Sequence, residues 1–384
     1  GDMYGNPGDH AALPTDLPGA IAAYSGSDLA SQLGDTFSRS YVSIAEAEVV
    51  HASEHNPAVD DVNDWERARF IEPRHSDRIV DMKIVSIGGG PAGLYFSILI
   101  KKAFPDFQVE VYERNRRADT FGWGVVFSDE TLSNFEEADE ATFAEITDHF
   151  RYWDSIETFY RGTCTVSTGH GFAALSRKKL LQILQKRCHQ LDIDLHFQHE
   201  VESVEAFADA DLILGADGVN SLVREQLAEH FRPQLDWRQC KFCWLGTDKP
   251  LSAFTFIFKP TPVGLFQVHA YPFDGGLSTW IVECREEVWQ EAGLAEANEE
   301  QTVEFCEALF AEELEGHKLL ANKSVWRTFP TVTCETWHHD NVVLLGDAAH
   351  TAHFSIGSGT KLAMEDAMAL AAAFQTHGAT DLDK

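Results

Sequence analysis

The chain is short of positive charge: 30 Lys and Arg stand against 61 Asp and Glu, a formal net charge of −31, and no lysine precedes Lys83. A nucleic-acid surface needs a clustered excess of basic side chains to displace counterions, so that class of partner is excluded. Cysteine is sparse and odd in number, seven scattered residues, which suits free thiols in a reducing compartment better than a disulfide framework. The one close pair, Cys240 and Cys243 in QCKFCWLG, lacks the second pair of a zinc site. Its apolar neighbours predict a strand, in which positions three apart face opposite ways. The amino-terminal residues lack the basic, apolar and small-residue succession of a secretory signal. No long apolar run is unbroken either: residues 84–100 come nearest, and three consecutive glycines and Pro91 interrupt them. These absences point to a cytoplasmic protein that binds neither nucleic acid nor a membrane. Repeats and low-complexity tracts are also missing.

What is present is ordinary globular material, 384 residues with 44% hydrophobic and 24% charged side chains, enough for two or three packed units. Composition shifts near Met82. Before it, 16–24, 27–33 and 35–52 each open on a capping residue and space their apolar positions as helices do. The stretches LPTDLPGAIAAYSGSDLASQLGDTFSRSYVSIAEAEVV and NDWERARFIE resemble the C-terminal tail of the glutamine synthetase family. The metal- and nucleotide-binding residues of that family lie upstream of its tail, so the resemblance implies no ligase chemistry here.

After Met82, β-rich runs alternate with a helix: a strand over 83–87, a helix to 104 and a strand over 107–113, a βαβ unit. In MKIVSIGGGPAGLYFSILIKK, Gly88, Gly90 and Gly93 fall at GxGxxG spacing between that strand and helix, with Pro91 and Ala92 inside the turn. The first glycine permits the tight turn, the second lets backbone approach a pyrophosphate, and the third lets the helix pack on the strand. Phosphate is then held by unpaired amides at the positive helix end. Glu113, ending the second strand in QVEVYER, stands where a carboxylate accepts bonds from ribose hydroxyls, about 20 residues on. NAD and FAD both satisfy this geometry.

Two later segments resemble flavin-dependent aromatic hydroxylases, the single-component flavoprotein monooxygenases. ADLILGADGVNSLVR resembles their DG motif, with Asp217, Gly218, Ser221 and Arg224 in the matching places. NVVLLGDAAHTAHFSIGSGTKLAMEDAMAL resembles the GD motif that holds the ribityl chain and pyrophosphate of FAD, through Gly346, Asp347, Gly357 and Gly359. The resemblance carries over Arg177, in LSRKKLLQIL, as the arginine that reaches FAD, and Arg114 as the partner of Glu113. It also carries over Gly124, in FGWGVVFSDETLSNF, as part of the loop approaching the flavin. It runs from Met82 to the end and is strongest toward the salicylyl-CoA 5-hydroxylase and 2-aminobenzoyl-CoA monooxygenase branch. The chain departs from the family at His353 and Phe354, where many members have a proline pair, and at Lys361, where many have Asn.

The resemblance implies an α/β protein: a Rossmann-like FAD-binding domain with an inserted mixed or antiparallel β-sheet substrate domain, preceded by a short helical segment. Strands over 253–258, 264–271 and 277–283 supply the inserted sheet. The expected bounds are 1–81 helical, 82–235 first FAD-binding part, 236–335 substrate sheet and 336–384 the GD part, in a unit that family members continue with further helices. The implied reaction is hydroxylation of an aromatic, foremost an aryl-CoA thioester, with O₂ and NADH or NADPH as transient co-substrate, through a flavin C4a-hydroperoxide. An FAD-linked reductase or halogenase, or a non-catalytic flavin-binding remnant, are the alternatives, and homo-oligomers are compatible with either. No catalytic base is named; His269, in LFQVHAYPFD, is a candidate substrate anchor or proton acceptor, with a structural histidine as the plainer reading. The spacing of His338, His339, His350 and His353 does not suit a metal site, and none is expected.

Overall fold

A computed structural model describes residues 81–120, 122–352 and 357–378; the glutamine-synthetase-like segment and the helices expected before Met82 lie outside the described residues. The first sheet has the strand order 338–339, 342–344, 212–215, 83–87, 108–113, 194–197, and its five inner and far strands are mutually parallel. Parallel strands are covered on both faces and therefore read as continuous apolar runs. Lys83–Ile87, with sequence KIVSI, is buried from Ile84 onward, as is all of Leu212–Gly215. One face is covered by helices Pro91–Ala103, Arg177–Gln190 and Gly359–His377, whose apolar residues form a core around Ile84, Val109, Leu180 and Met364. The other face packs against Val204, Phe207, Val223 and Phe231.

The second sheet has nine strands and is mixed: Phe254–Thr261 pairs in parallel with Ile156–Tyr160, while its remaining pairings are antiparallel. The sheet thus draws Ile156–Tyr160 and Thr163–Ser167 from well before the expected insertion at 236, and its long strand begins at Pro233. One face, with Cys243, Val268, Trp280 and Val282, is covered by Val288, Cys306 and Phe310 from the helices of 286–314. The other face is aromatic, with Phe254, Tyr271, Phe273 and Trp153 buried together. A small antiparallel sheet, Gly124–Ser128, Phe172–Ser176 and Arg151–Trp153, shares that aromatic cluster.

Three helices of the first unit are tied by one carboxylate. Asp139 caps Glu140–Thr147 and pairs with Arg187 at 2.9 Å and Lys102 at 3.0 Å while almost fully buried. Burial alone raises its pKa, but the bonds from Arg187, Thr142 and Lys102 outweigh it and hold the carboxyl down to about 2. A depressed folded pKa contributes stability above the ordinary value of 3.8 that is lost as the pH falls toward 2. Asp139→Asn is therefore expected to lower the melting temperature at neutral pH and to flatten its fall between pH ~4 and ~2. Melts across that window check it; parallel curves for the two proteins would contradict it.

Candidate active site

Gly88 leaves the first strand at φ +114°, and a β-carbon there would lie 2.2 Å from the carbonyl oxygen of Ala216. The glycine turn is thereby pressed against the turn that carries Asp217. A β-carbon on Gly93 would lie 2.2 Å from the Gly88 oxygen and 2.6 Å from Ser86 Oγ, so the helix sits directly on the turn. Gly90, by contrast, faces open space at the N-cap of Pro91–Ala103. Among the described residues no side chain caps this helix end, Pro91 lacks an amide hydrogen, and the first turn has no acid, so its amides remain available to an anion. Ala92 is buried beneath them.

Glu113 reaches back to the same turn: its Oε2 accepts from the Gly89 amide at 2.9 Å, and its Oε1 from the Asn115 amide at 2.8 Å and side chain at 2.6 Å. Asn115 is a residue that motif reading missed, and its only sequence signal is its place two residues after the acid. Arg114 is exposed.

The DG and GD turns are joined by Arg224. This buried guanidinium donates to the carbonyls of Ala348 at 2.9 Å and Asp347 at 3.4 Å, and to Val219 within its own turn. Asp217 Oδ2 accepts from the amides of Leu222 and Val223, while its buried Oδ1 has no partner among the described residues. Burial raises the pKa of Asp217, opposed by its bonds from Ser221 and backbone amides. Gly218 turns the chain beside it at φ +83°. Burial likewise raises Asp347, opposed by the positive charge of Arg177 and His350.

Gly346 brings the GD turn onto the glycine helix, since its β-position lies 3.3 Å from Ala92 Cβ. Asp366, from the helix beyond, accepts from the Gly346 amide at 3.0 Å and binds His350 Nε2 at 2.9 Å. Motif reading missed Asp366. Gly357 has φ +73°, and the β-position of Gly359 lies 3.9 Å from Asp347 Oδ1. Arg177 closes the group by donating to Thr360 Oγ1 at 3.1 Å, in the first turn of the same helix.

The loop around Trp123 lies on the aromatic face of the second sheet. Gly122 leaves room for the Trp244 ring and Gly246 for that of Trp123, while Tyr271 donates to the Gly124 carbonyl at 3.0 Å. A β-carbon on Gly124 would lie 2.5 Å from Phe273 Cβ, so the bareness of Gly124 lets the loop pack on the sheet. The amide of Arg177 donates to the Trp123 carbonyl at 2.8 Å, linking this loop to the GD helix. His269 is buried on the aromatic face, its ring 6.5 Å from that of Phe256. Cys240 and Cys243 point to opposite faces, and burial pushes both thiols up to about 12. Among the described residues no group of His, Cys, Asp and Glu is placed to hold a metal ion, and no helix is long and apolar enough to cross a membrane.

Residues 206–378 match the FAD binding domain family. The chain is 44% identical over 298 residues to a salicyloyl-CoA 5-hydroxylase of a Streptomyces species, covering 76% of this chain and 58% of that protein. It is 35% identical over 290 residues to a 3-hydroxy-4-methyl-anthranilyl-[aryl-carrier protein] 5-monooxygenase of Streptosporangium sibiricum, covering 76% of this chain and 78% of the relative. The chain belongs to the FAD-dependent aromatic hydroxylases. A solved structure, that of a tetrameric 2-methyl-3-hydroxypyridine-5-carboxylic acid oxygenase, shares the fold with a TM-score of 0.62 at 19% identity, over 76% of this chain and 82% of that one. FAD is the cofactor of these hydroxylases. The glycine turn, the DG turn and the GD turn, separate in sequence, meet around one open helix end, as an extended dinucleotide requires.

Proposed function

We propose that the chain is the flavin-binding part of a monooxygenase that hydroxylates an aryl thioester with NAD(P)H and O₂. The observation that carries this reading is the convergence just described, with a spare acceptor on Asp217 and an uncapped, acid-free helix end facing open space. Those features fit FAD. Gly88, Gly90, Pro91, Ala92 and Gly93 would hold its pyrophosphate on the helix amides, and Glu113 its adenosine ribose, with Arg114 beside it. Asp217 with Gly218, and Asp347 with Gly346, Gly357 and Gly359, would hold the ribityl chain and ring. Arg177, between Asp347 and Thr360, balances the buried acid charge and orients the helix. When bound, FAD supplies hydride acceptance and dioxygen activation, which side chains lack. The chain orients the substrate ring against the cofactor and keeps water out, using the aromatic face of the second sheet as its wall.

Support for the substrate class comes from the two relatives, whose names specify an aryl-CoA and an aryl-carrier-protein derivative. The test is direct. The purified chain should carry yellow flavin, and aryl thioesters should stimulate NADH or NADPH oxidation with formation of a hydroxylated ring. Rapid NAD(P)H oxidation without oxygenated product would instead place the chain among reductases or oxidases.

A further inference from the structure

The aromatic face of the second sheet carries a polar pair that the cofactor site does not use. Along Leu277–Arg285, Thr279, Ile281 and Glu283 alternate onto this face, opposite Gly246, Trp244 and Phe242 on one side. On the other side Ile281 and Glu283 stand opposite His269 and Gln267, which in turn oppose Phe256 and Phe258. The row therefore starts where the Trp123 loop sits on Trp244 and Gly246, one hydrogen bond from Arg177, and runs along an aromatic wall to Glu283. Glu283 is only 2% exposed, and it accepts from Gln267 Nε2 at 2.7 Å. Its other polar neighbour is the Cys240 thiol.

Among the described residues no cation meets this carboxyl. Of the basic residues nearest in register, Arg285 and Arg327 are exposed, Arg285 pairing with Glu287 at 3.2 Å, and Lys241 lies on the opposite face, paired with Glu286 at 3.2 Å. Arg177, at the other end of the row, is engaged with Thr360 beside Asp347.

We propose that Glu283 and Gln267 form the polar anchor of the aromatic-substrate site and select rings whose carboxyl carbon is masked as a neutral thioester, ester or amide over free aryl carboxylates. The assignment rests on the aromatic-hydroxylase reading. A buried carboxyl without a cation is held neutral, and burial raises the pKa of Glu283. A neutral acid has an O–H to donate to a carbonyl oxygen, as an ionised one does not. A carboxylate placed at the same point meets no positive partner and loses its hydration.

The experiment titrates flavin-loaded protein near neutral pH with salicylate, salicylamide and the S-ethyl thioester of salicylic acid, reading the perturbation of the flavin spectrum. The two neutral ligands should bind at least ~10-fold more tightly than salicylate, the size of effect expected for one buried hydrogen bond set against an unpaired charge. Glu283→Gln, which keeps a donor and the volume, should preserve that order and stay within about threefold of the parent. Glu283→Leu should weaken the neutral ligands about tenfold with flavin content and melting temperature unchanged. Equal or tighter binding of salicylate to the unaltered protein overturns the proposal, as does unchanged binding in Glu283→Leu. Protein that holds no flavin, or whose flavin responds to none of the three, overturns the hydroxylase reading itself, an outcome distinct from a salicylate preference.

Discussion

Gly88→Ala should give a chain that purifies without flavin and melts far below its parent. Two costs coincide at this position. A side chain is strained at φ +114°, at about 1–3 kcal/mol. The new methyl also lies 2.2 Å from a backbone oxygen of Ala216, which cannot swing aside as a side chain would, and overpacking of this kind costs roughly another 1–3 kcal/mol. Relief requires the glycine turn to separate from the turn carrying Asp217, which is the approach the cofactor site depends on. Gly293→Ala is the comparison, because Gly293 has φ +75° but nothing within 4 Å of its β-position and stands outside the cofactor turns. That variant should lose about 1 kcal/mol and retain most of its flavin. Flavin absorbance per chain and thermal melts separate the two; equal flavin content in both would count against a turn-to-turn role for Gly88.

The cradle was legible because each of its parts leaves a local trace. A buried parallel strand shows as an unbroken apolar run, and a turn that admits no side chain shows as glycine, so 83–93 could be placed without any partner in view. The inserted sheet was legible where hairpins join neighbouring strands, as in 264–285. It was not legible where Ile156–Tyr160 enters in parallel beside Phe254–Thr261, because its partner is distant in sequence and Thr163–Ser167 after it is wholly exposed. Polar residues whose partners lie across a turn were equally silent. Asp366 reads as a solvated acid on an amphipathic helix, yet it binds both the Gly346 amide and His350. Glu283 reads as the polar end of a strand, and only the register shows it buried beside Gln267. Gly124 was silent in another sense, since nothing in its motif shows that its missing side chain makes room for Phe273.

Arg224 concentrates the same point, because its charge is spent on carbonyls rather than on a carboxylate. Its guanidinium spans from Val219 in one turn to Asp347 and Ala348 in the other, a reach that needs a planar group with several donors. Arg224→Met keeps the buried stem and removes those donors, leaving carbonyl oxygens without partners at about 1–3 kcal/mol each where water cannot replace the bond. A net loss of ~3 kcal/mol is expected, and a ~100-fold weaker hold on FAD, since the backbone that positions Asp347 would no longer be tied to the turn of Asp217. Arg224→Lys should recover part of the stability and little of the affinity, because one ammonium cannot hold two separate segments in register. Denaturant unfolding and titration of the apoprotein with FAD measure the two quantities independently. If Arg224→Met bound FAD as the parent does, the two turns would have to be aligned by the strands that feed them, through the Leu345 amide on the Gly215 carbonyl, and Asp366 and His350 would then be holding the GD turn without help from Arg224.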